Sequence, residues 1–194
     1  MQCVILCGGK ATRLGDIAKN TPKGMLPIGG KPVLVHQIEY LKKNGITEII
    51  LAVGNLSLVI MKYFGNGEEF GVNISYSYDL NLGTGGAIRL CKDLLKDDTF
   101  ILMNGDTIAD VNLNHLLKEH NRTKELITIS YDNNFVSIGV CAVNIKLIDV
   151  IPEGICSLED DVLSKIRSDK YIYKDKWFDI GESIEKYESY KIMR

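Results

Sequence analysis

The stretch Val4-Ile5-Leu6-Cys7-Gly8-Gly9-Lys10-Ala11-Thr12-Arg13-Leu14 decides how this chain is read, because an apolar run feeds directly into two glycines, a hydroxyl and an arginine. That is the layout of a phosphate cradle. Glycines let backbone N–H groups approach an anion with no Cβ in the way, and a following cation neutralises charge. The spacing matches neither Gly-x-x-x-x-Gly-Lys-Ser/Thr nor Gly-x-Gly-x-x-Gly, so it is neither a P-loop nor the fingerprint of a dehydrogenase-type dinucleotide domain. Taken alone, the loop reads equally as a strand-to-helix turn that uses glycine for positive φ.

Outward from this loop, short β-rich runs alternate with helical patterns: Val4 to Leu6, Leu34 to Lys43, Ile49 to Val53, Leu58 to Phe64 and Ile74 to Tyr78. That alternation predicts a parallel α/β sheet, whose ligands sit beyond the carboxyl ends of the strands. Leu34, Ile38 and Leu41 recur at spacings of four and three, and Asn44-Gly45 supplies the helix stop. Further on come a helix from Leu113 to His120, strands from Leu126 to Tyr131 and Ile138 to Val143, and helical patterns over Leu158 to Ile166 and Ile184 to Ile192.

Composition narrows the function classes. The 194 residues, 45% hydrophobic and 25% charged, suit one domain with a sizeable core. A net charge of −2 with no basic block gives a nucleic-acid partner no electrostatic support, whereas a small phosphorylated ligand needs only local cations. No apolar stretch approaches about 18 residues and no charged leader precedes the first apolar run, so the expected address is the cytoplasm, with no membrane partner. The five cysteines form no Cys-x-x-Cys pair and suit buried, reduced thiols. His36, His115 and His120 lack metal-ligand spacing and are expected at the surface or at helix ends.

Four further segments join the first loop: Thr21-Pro22-Lys23-Gly24-Met25-Leu26-Pro27, Leu82-Gly83-Thr84-Gly85-Gly86-Ala87, Asn104-Gly105-Asp106 after Phe100 to Met103, and Trp177-Phe178-Asp179-Ile180-Gly181. Their order resembles the sugar-1-phosphate nucleotidyltransferases over most of the chain. The Leu-Gly-Thr-Gly-Gly-Ala-Ile loop is most similar to that of the short heptose-1-phosphate guanylyltransferases, with the compact uridylyltransferases as the next likeness. The resemblance implies a three-layer, Rossmann-like α/β nucleotidyltransferase fold with a mostly parallel central sheet, spanning 1–194 as a single nucleotidyltransferase domain.

It also implies the reaction: a sugar-1-phosphate oxygen attacks the α-phosphorus of a nucleoside triphosphate, GTP being favoured, and pyrophosphate leaves. Such transfer is mostly positioning plus electrostatic stabilisation. By resemblance, Asp106 and Asp179 are the Mg²⁺ ligands, which suits an ion that takes few protein carboxylates. Arg13 faces the β- and γ-phosphates and Lys23 the transition state. Leu6, Gly8, Gly9, Thr12, Arg13, Gly83, Thr84, Gly85 and Asp106 bind nucleotide, with the Gly83–Gly85 loop bordering the base, while Gly139 and Glu159 line the sugar pocket. Read singly, Asn104-Gly105-Asp106 is also a turn, Asp179 a helix cap, and Glu159 a carboxylate favoured by a helix N-terminus.

Two departures from the family stand out. Its lysine loop reads Pro-Lys-Pro, but here Gly24 follows Lys23, which leaves the lysine less preorganised. The family also places tens of residues, including a Glu-Lys-Pro segment for the sugar phosphate, where this chain has only Asp132 to Ser137, a hairpin turn. The sugar side is therefore expected to be open, with Lys146 or Lys165 as replacement cations. Competing readings are a non-catalytic relative that binds nucleotide sugar and regulates a partner, and a uridylyltransferase of the same fold. A homo-oligomer stays open.

Overall fold

The computed structural model describes residues 1–9, 12–78, 81–181 and Tyr187. Of the expected elements, the helix over 184–192 lies outside the described residues apart from Tyr187, which is helical, as does the side chain of Thr12. In chain order the strands are β1 (Gln2–Cys7), β2 (Pro27–Ile28), β3 (Lys31–Pro32), β4 (Glu48–Val53), β5 (Asn73–Tyr78), β6 (Thr99–Asn104), β7 (Thr107–Ala109), β8 (Ile127–Tyr131), β9 (Ser137–Asn144), β10 (Asp169–Ile172) and β11 (Trp177–Asp179). The α-helices are α1 (Val33–Lys43), α2 (Ser57–Phe64), α3 (Gly83–Leu90), α4 (Leu113–His120) and α5 (Leu147–Val150).

Seven strands form the central sheet in the order β10-β8-β9-β6-β1-β4-β5. All neighbouring pairs are parallel except those of β9, which runs antiparallel to both β6 and β8. The sheet is thus mostly parallel, as expected. Strand periodicity splits the core in two. Cys3, Ile5 and Cys7 of β1, Ile49, Leu51 and Val53 of β4, and Ile101 and Met103 of β6 point to one face, packed with Leu34, Ile38, Leu41, Ile60, Phe64, Leu113 and Leu116. Val4, Ile50, Ala52, Phe100 and Leu102 point to the other, against Ala87, Ile88, Leu147 and Val162. Helices therefore cover both faces, which makes three layers.

Helix α1 shows why its sequence folds this way. Leu34, Ile38 and Leu41 are fully or almost fully buried, each such burial stabilising the fold by roughly 1.5–3 kcal/mol. Pro32 precedes the first turn, where no N–H is needed, and Gly45 takes φ +76° just past the last one. The helical pattern over Leu158 to Ile166 is shorter than expected: only Leu158–Leu163 is helical, as one wide turn in which Ser164 N donates to Glu159 O. Ser157 caps that turn by accepting from Asp160 N at 3.1 Å.

The cysteines are all free and buried, as expected. His115 is exposed, but His120, at the end of α4, is buried and hydrogen-bonded through Nδ1 to Thr128 Oγ1 at 2.9 Å. Burial lowers its pKa. Among the described residues no helix is long and apolar enough to cross a membrane.

At the carboxyl end of the sheet the loops after β1 and β4 touch closely. Asn55 N donates to Gly8 O, and a Cβ on Gly54 would fall 2.7 Å from that same oxygen. Because backbone on both sides cannot yield cheaply, Gly54→Ala is expected to lower stability by about 1–3 kcal/mol. A urea denaturation midpoint indistinguishable from wild type would show that this contact relaxes freely.

Candidate active site

The site begins where β1 and β6 end side by side. Gly105 N donates to Leu6 O at 2.9 Å, and a Cβ on Gly105 would stand 2.7 Å from that oxygen and 2.9 Å from Cys7 Cβ. The absence of a side chain lets the turn Asn104-Gly105-Asp106 tuck against the glycine loop that follows β1. The resulting cavity, about 270 Å³, is lined by Leu6, Gly8, Gly9, Lys23, Gly24, Gly83, Thr84, Asn104, Asp106 and Glu159, with Cys7, Ala52, Ala87 and Gly105 completing the wall.

Asp106 is joined there by a residue 83 positions away: Lys23 Nζ lies 3.1 Å from Asp106 Oδ2, with both side chains about one-fifth exposed. Asp179 arrives through a short antiparallel ladder in which β11 pairs with β7 and Asp179 stands opposite Thr107. Ile180 N then donates to Asp106 O at 3.0 Å, and Gly181 N to Asp179 Oδ1 at 2.7 Å. A Cβ on Gly181 would meet Lys23 Nζ, stand 2.6 Å from Asp106 Oδ2 and 3.2 Å from Asp179 Oδ1. One lysine and two carboxylates therefore converge on one point at the edge of the cavity.

This donor set suits a hard divalent cation that keeps most of its shell for water and phosphate. Two carboxylate oxygens, one from the turn after β6 and one from the end of β11, face the same space, and among the described residues no cluster of three or more His, Cys, Asp or Glu side chains exists that would suit an all-protein cage. Mg²⁺ fits the residues present.

A second cavity of about 330 Å³ adjoins the first and shares Asn104 and Glu159 with it. Its wall includes Tyr131, Ser137, Gly139, Cys141, Leu158, Ser164 and Ser168. Gly139 has φ +69°, and a Cβ there would fall 2.6 Å from Asn104 Nδ2, so this glycine makes room for the asparagine side chain. Glu159 is held at the junction by Thr84, whose hydroxyl donates to its Oε2 at 3.0 Å and accepts from Leu158 N at 2.8 Å.

The structure thus brings Leu6, Gly8, Gly9, Lys23, Gly83, Thr84, Asp106, Gly139 and Glu159 to two joined cavities, and sets Asp179 beside Lys23 and Asp106. Arg13 is exposed on the 3-10 segment Thr12–Ala18 and is not among the described residues of the cavity wall. Four expectations change. The glycine-rich loop at Gly83 is the first turn of α3, and Gly85 is packing rather than cavity wall: its N–H donates to Cys156 O at 2.9 Å and a Cβ would fall 2.7 Å from Cys156 Sγ. Lys146 stands at the opposite end of the sheet, beside Thr99, the first residue of β6. Lys165 follows the Leu158–Leu163 turn and is exposed, outside the described residues lining the second cavity.

Gly24 does not loosen Lys23. It is buried in a tight turn, where a Cβ would stand 2.6 Å from Leu34 Cγ and 3.0 Å from Gly105 O, so the loop is packed down onto α1 and the Asp106 turn. The connector after β8 is a hairpin turn, as expected: Asp132 N donates to Val136 O, and Asp132 Oδ1 accepts from Asn134 N and Val136 N.

Two residues escaped the sequence reading. Asn104 borders both cavities, and its signal was its place beside Gly105-Asp106. Gln37 is buried on the apolar face of α1, where a polar residue breaks the pattern Leu34, Ile38, Leu41. Neither cavity cysteine offers a thiolate. Burial, with the neighbouring Cys91 thiol adding, pushes Cys7 far up, and burial with the charge of Glu159 pushes Cys141 up to about 12.

The profile of the family described as Nucleotidyl transferase matches residues 2–141. The D-glycero-alpha-D-manno-heptose 1-phosphate guanylyltransferase of Campylobacter jejuni is 42% identical over 166 residues, covering 85% of this chain and 71% of that one. The protein of the same name from Aneurinibacillus thermoaerophilus is 37% identical over 131 residues, which cover 67% of this chain and 56% of that one. The crystal structure of HddC from Yersinia pseudotuberculosis complexed with GMP-PN superposes with a TM-score of 0.84 at 25% identity, over 98% of this chain and 97% of that one.

The convergence on Gly181 generates a test. An added methyl there meets only the ends of flexible side chains, so Gly181→Ala is expected to change stability by less than about 1 kcal/mol while displacing Lys23 and both carboxylates. GTP affinity measured with and without Mg²⁺ checks this: the wild type tightens with the cation and the variant does not. Equal tightening in both proteins would remove this point from the cation site.

Proposed function

Because the chain belongs to the nucleotidyl transferase family, we infer that it is a sugar-1-phosphate nucleotidyltransferase, and we propose GTP as donor and a heptose- or hexose-1-phosphate as acceptor. Residues 1–194 act in this reading as one nucleotidyltransferase domain. The observation that carries it is the pair of adjoining cavities that meet at Asn104 and Glu159, with Lys23 and Asp106 on the wall of the first.

The first cavity takes the nucleotide, with the base towards Gly83 and Thr84 and the phosphates towards Gly8 and Gly9. The second takes the sugar. Glu159 and Gly139 face its hydroxyls, and the carboxylate accepts hydrogen bonds from them. At the junction an oxygen of the sugar phosphate forms a bond to the α-phosphorus, and the bond from that phosphorus to the bridging oxygen of pyrophosphate breaks. Lys23, which is paired with Asp106, neutralises charge on the transferring group. Arg13 reaches the leaving pyrophosphate from its exposed segment. Asp106 and Asp179 would hold Mg²⁺, which when bound neutralises phosphate charge and orients donor and acceptor. The role of the protein is otherwise positioning, since transfer of this kind needs no covalent intermediate.

The preference for GTP rests on the resemblance of Leu82 to Ile88 to the guanylyltransferase loop and on the names of the two relatives above. The short hairpin over Asp132 to Ser137 leaves fewer contacts for the sugar, and each lost hydrogen bond removes on the order of 1–3 kcal/mol of discrimination.

Two outcomes follow. In a pyrophosphate-release assay of GTP, UTP, CTP, ATP and dTTP against heptose-, mannose-, glucose- and N-acetylglucosamine-1-phosphates, GTP is expected to give the highest kcat/KM, with high sugar KM and broad sugar tolerance. Preference for UTP would reverse the donor, and inactivity with intact nucleotide binding would identify a non-catalytic nucleotide-binding relative.

Asp106→Asn and Asp179→Asn change little volume but remove charge, so each is expected to lower kcat by at least about 100-fold with an unchanged circular dichroism spectrum. Near-normal turnover by either variant across magnesium concentrations takes that residue out of the metal shell.

A further inference from the structure

We propose that Gln37 is a positioning residue that sets both Asp106 and Asp179 for cation binding, through one buried amide that touches neither substrate nor metal. The proposal rests on the reading of those two aspartates as cation ligands. Gln37 is 2% exposed on α1, amid the apolar core. Its Nε2 donates to Asn104 O at 2.7 Å and to Thr107 O at 2.6 Å. These carbonyls bracket Gly105 and Asp106, so a single amide clamps the two ends of the turn that presents the carboxylate. Thr107 is also the residue of β7 that stands opposite Asp179 on β11. The same amide therefore fixes the start of the ladder that delivers the second carboxylate.

Chemistry fixes the orientation of this amide: both contacted atoms are carbonyl oxygens, so only the NH₂ group, with its two donors, satisfies them. Its own Oε1 is buried with no hydrogen-bond partner among the described residues. A glutamine kept for stability alone is a poor choice here, because an apolar side chain of equal volume leaves no such oxygen. Gly105 is pinned from the other side by Leu6 O, so the turn is clamped between β1 and α1.

The test reads metal binding directly. Mn²⁺ affinity is measured by electron paramagnetic resonance on the full chain with a non-hydrolysable GTP analogue, for the wild type, Gln37→Met, Gln37→Glu, Asp106→Asn and Leu41→Ala. Leu41→Ala opens the same helix face and serves as a stability control outside the site. Removal of a residue that orients a metal ligand typically weakens binding 10–100-fold, so Gln37→Met is expected to weaken Mn²⁺ by about tenfold or more, with metal-free nucleotide affinity within about twofold of wild type. Gln37→Glu, protonated in this buried site, keeps one donor and is expected to lose less, about threefold or more.

Wild-type Mn²⁺ affinity in Gln37→Met overturns the proposal, as does equal weakening by Leu41→Ala, which would make Gln37 an ordinary core residue. If Gln37→Met does not fold, Gln37→Glu decides: weakening supports the proposal and an unchanged affinity overturns it. Wild-type Mn²⁺ affinity in Asp106→Asn instead overturns the metal reading itself, and this proposal with it.

Discussion

Gly105 has no side chain, and the ligand end of the sheet depends on that vacancy. Strands β1 and β6 lie side by side, and only a bare Cα lets the chain after β6 pass within 3 Å of Leu6 O while its N–H bonds that oxygen. From this contact follow the placement of Asp106 beside the Gly8-Gly9 loop, the start of β7, and the ladder that brings Asp179 from the far end of the chain. A small apolar cluster of Leu14, Leu26, Ile28, Val33, Ile180 and Tyr187 holds the participating segments together under the site. Burial of these side chains keeps three distant loops in register, so that Lys23 and two carboxylates share one space. Like charges brought together in this way repel, and the Lys23 ammonium offsets that repulsion.

Close approach at glycine is the device used throughout this end of the molecule. Gly24 replaces the proline of the usual lysine loop, and rigidity comes from packing on Leu34 and Gly105 O instead of from a ring. At the start of α3, Gly83 and Gly85 let the helix sit against the Cys156 backbone, which fixes the adjacent Leu158 turn and with it Glu159. The two cavities are thereby coupled through Thr84, whose hydroxyl on the first bonds Glu159 and Leu158 on the second. Positioning of this quality is what a reaction without covalent participation of the protein demands.

The parallel sheet and α1 were legible in the sequence because buried strands and amphipathic helices carry period and length, as in Ile49 to Val53 and Leu34 to Leu41. The cradle after β1 and the Gly105-Asp106 turn were legible because glycine and charge at strand ends mark a ligand edge, whereas Lys23 was singled out only through the family resemblance. What sequence could not show were long-range partners. Nothing local in Thr107-Ile108-Ala109 or Trp177-Phe178-Asp179 announces that these three-residue strands pair, and that pairing, with the Ile180 N–H on Asp106 O, puts Asp179 beside Asp106. Gln37 looked like a flaw in an apolar face until its two acceptors were in place. Gly85 was read as bare backbone for a ligand, whereas Cys156 takes its N–H. Lys146 was misplaced because β9 runs against its neighbours, so Lys146, two residues past its end, lies at the far end of the sheet.

The central claim is that a nucleoside triphosphate and a divalent cation meet at the point shared by Lys23, Asp106 and Asp179. Anomalous diffraction from crystals grown with Mn²⁺ and a non-hydrolysable GTP analogue tests it most directly. The account predicts one strong peak within coordination distance of both carboxylates, with the α-phosphate in the cavity beneath Gly8 and Gly9 and Lys23 withdrawn from Asp106. A nucleotide bound elsewhere, or a cation away from these carboxylates with the Lys23–Asp106 pair intact, would contradict it.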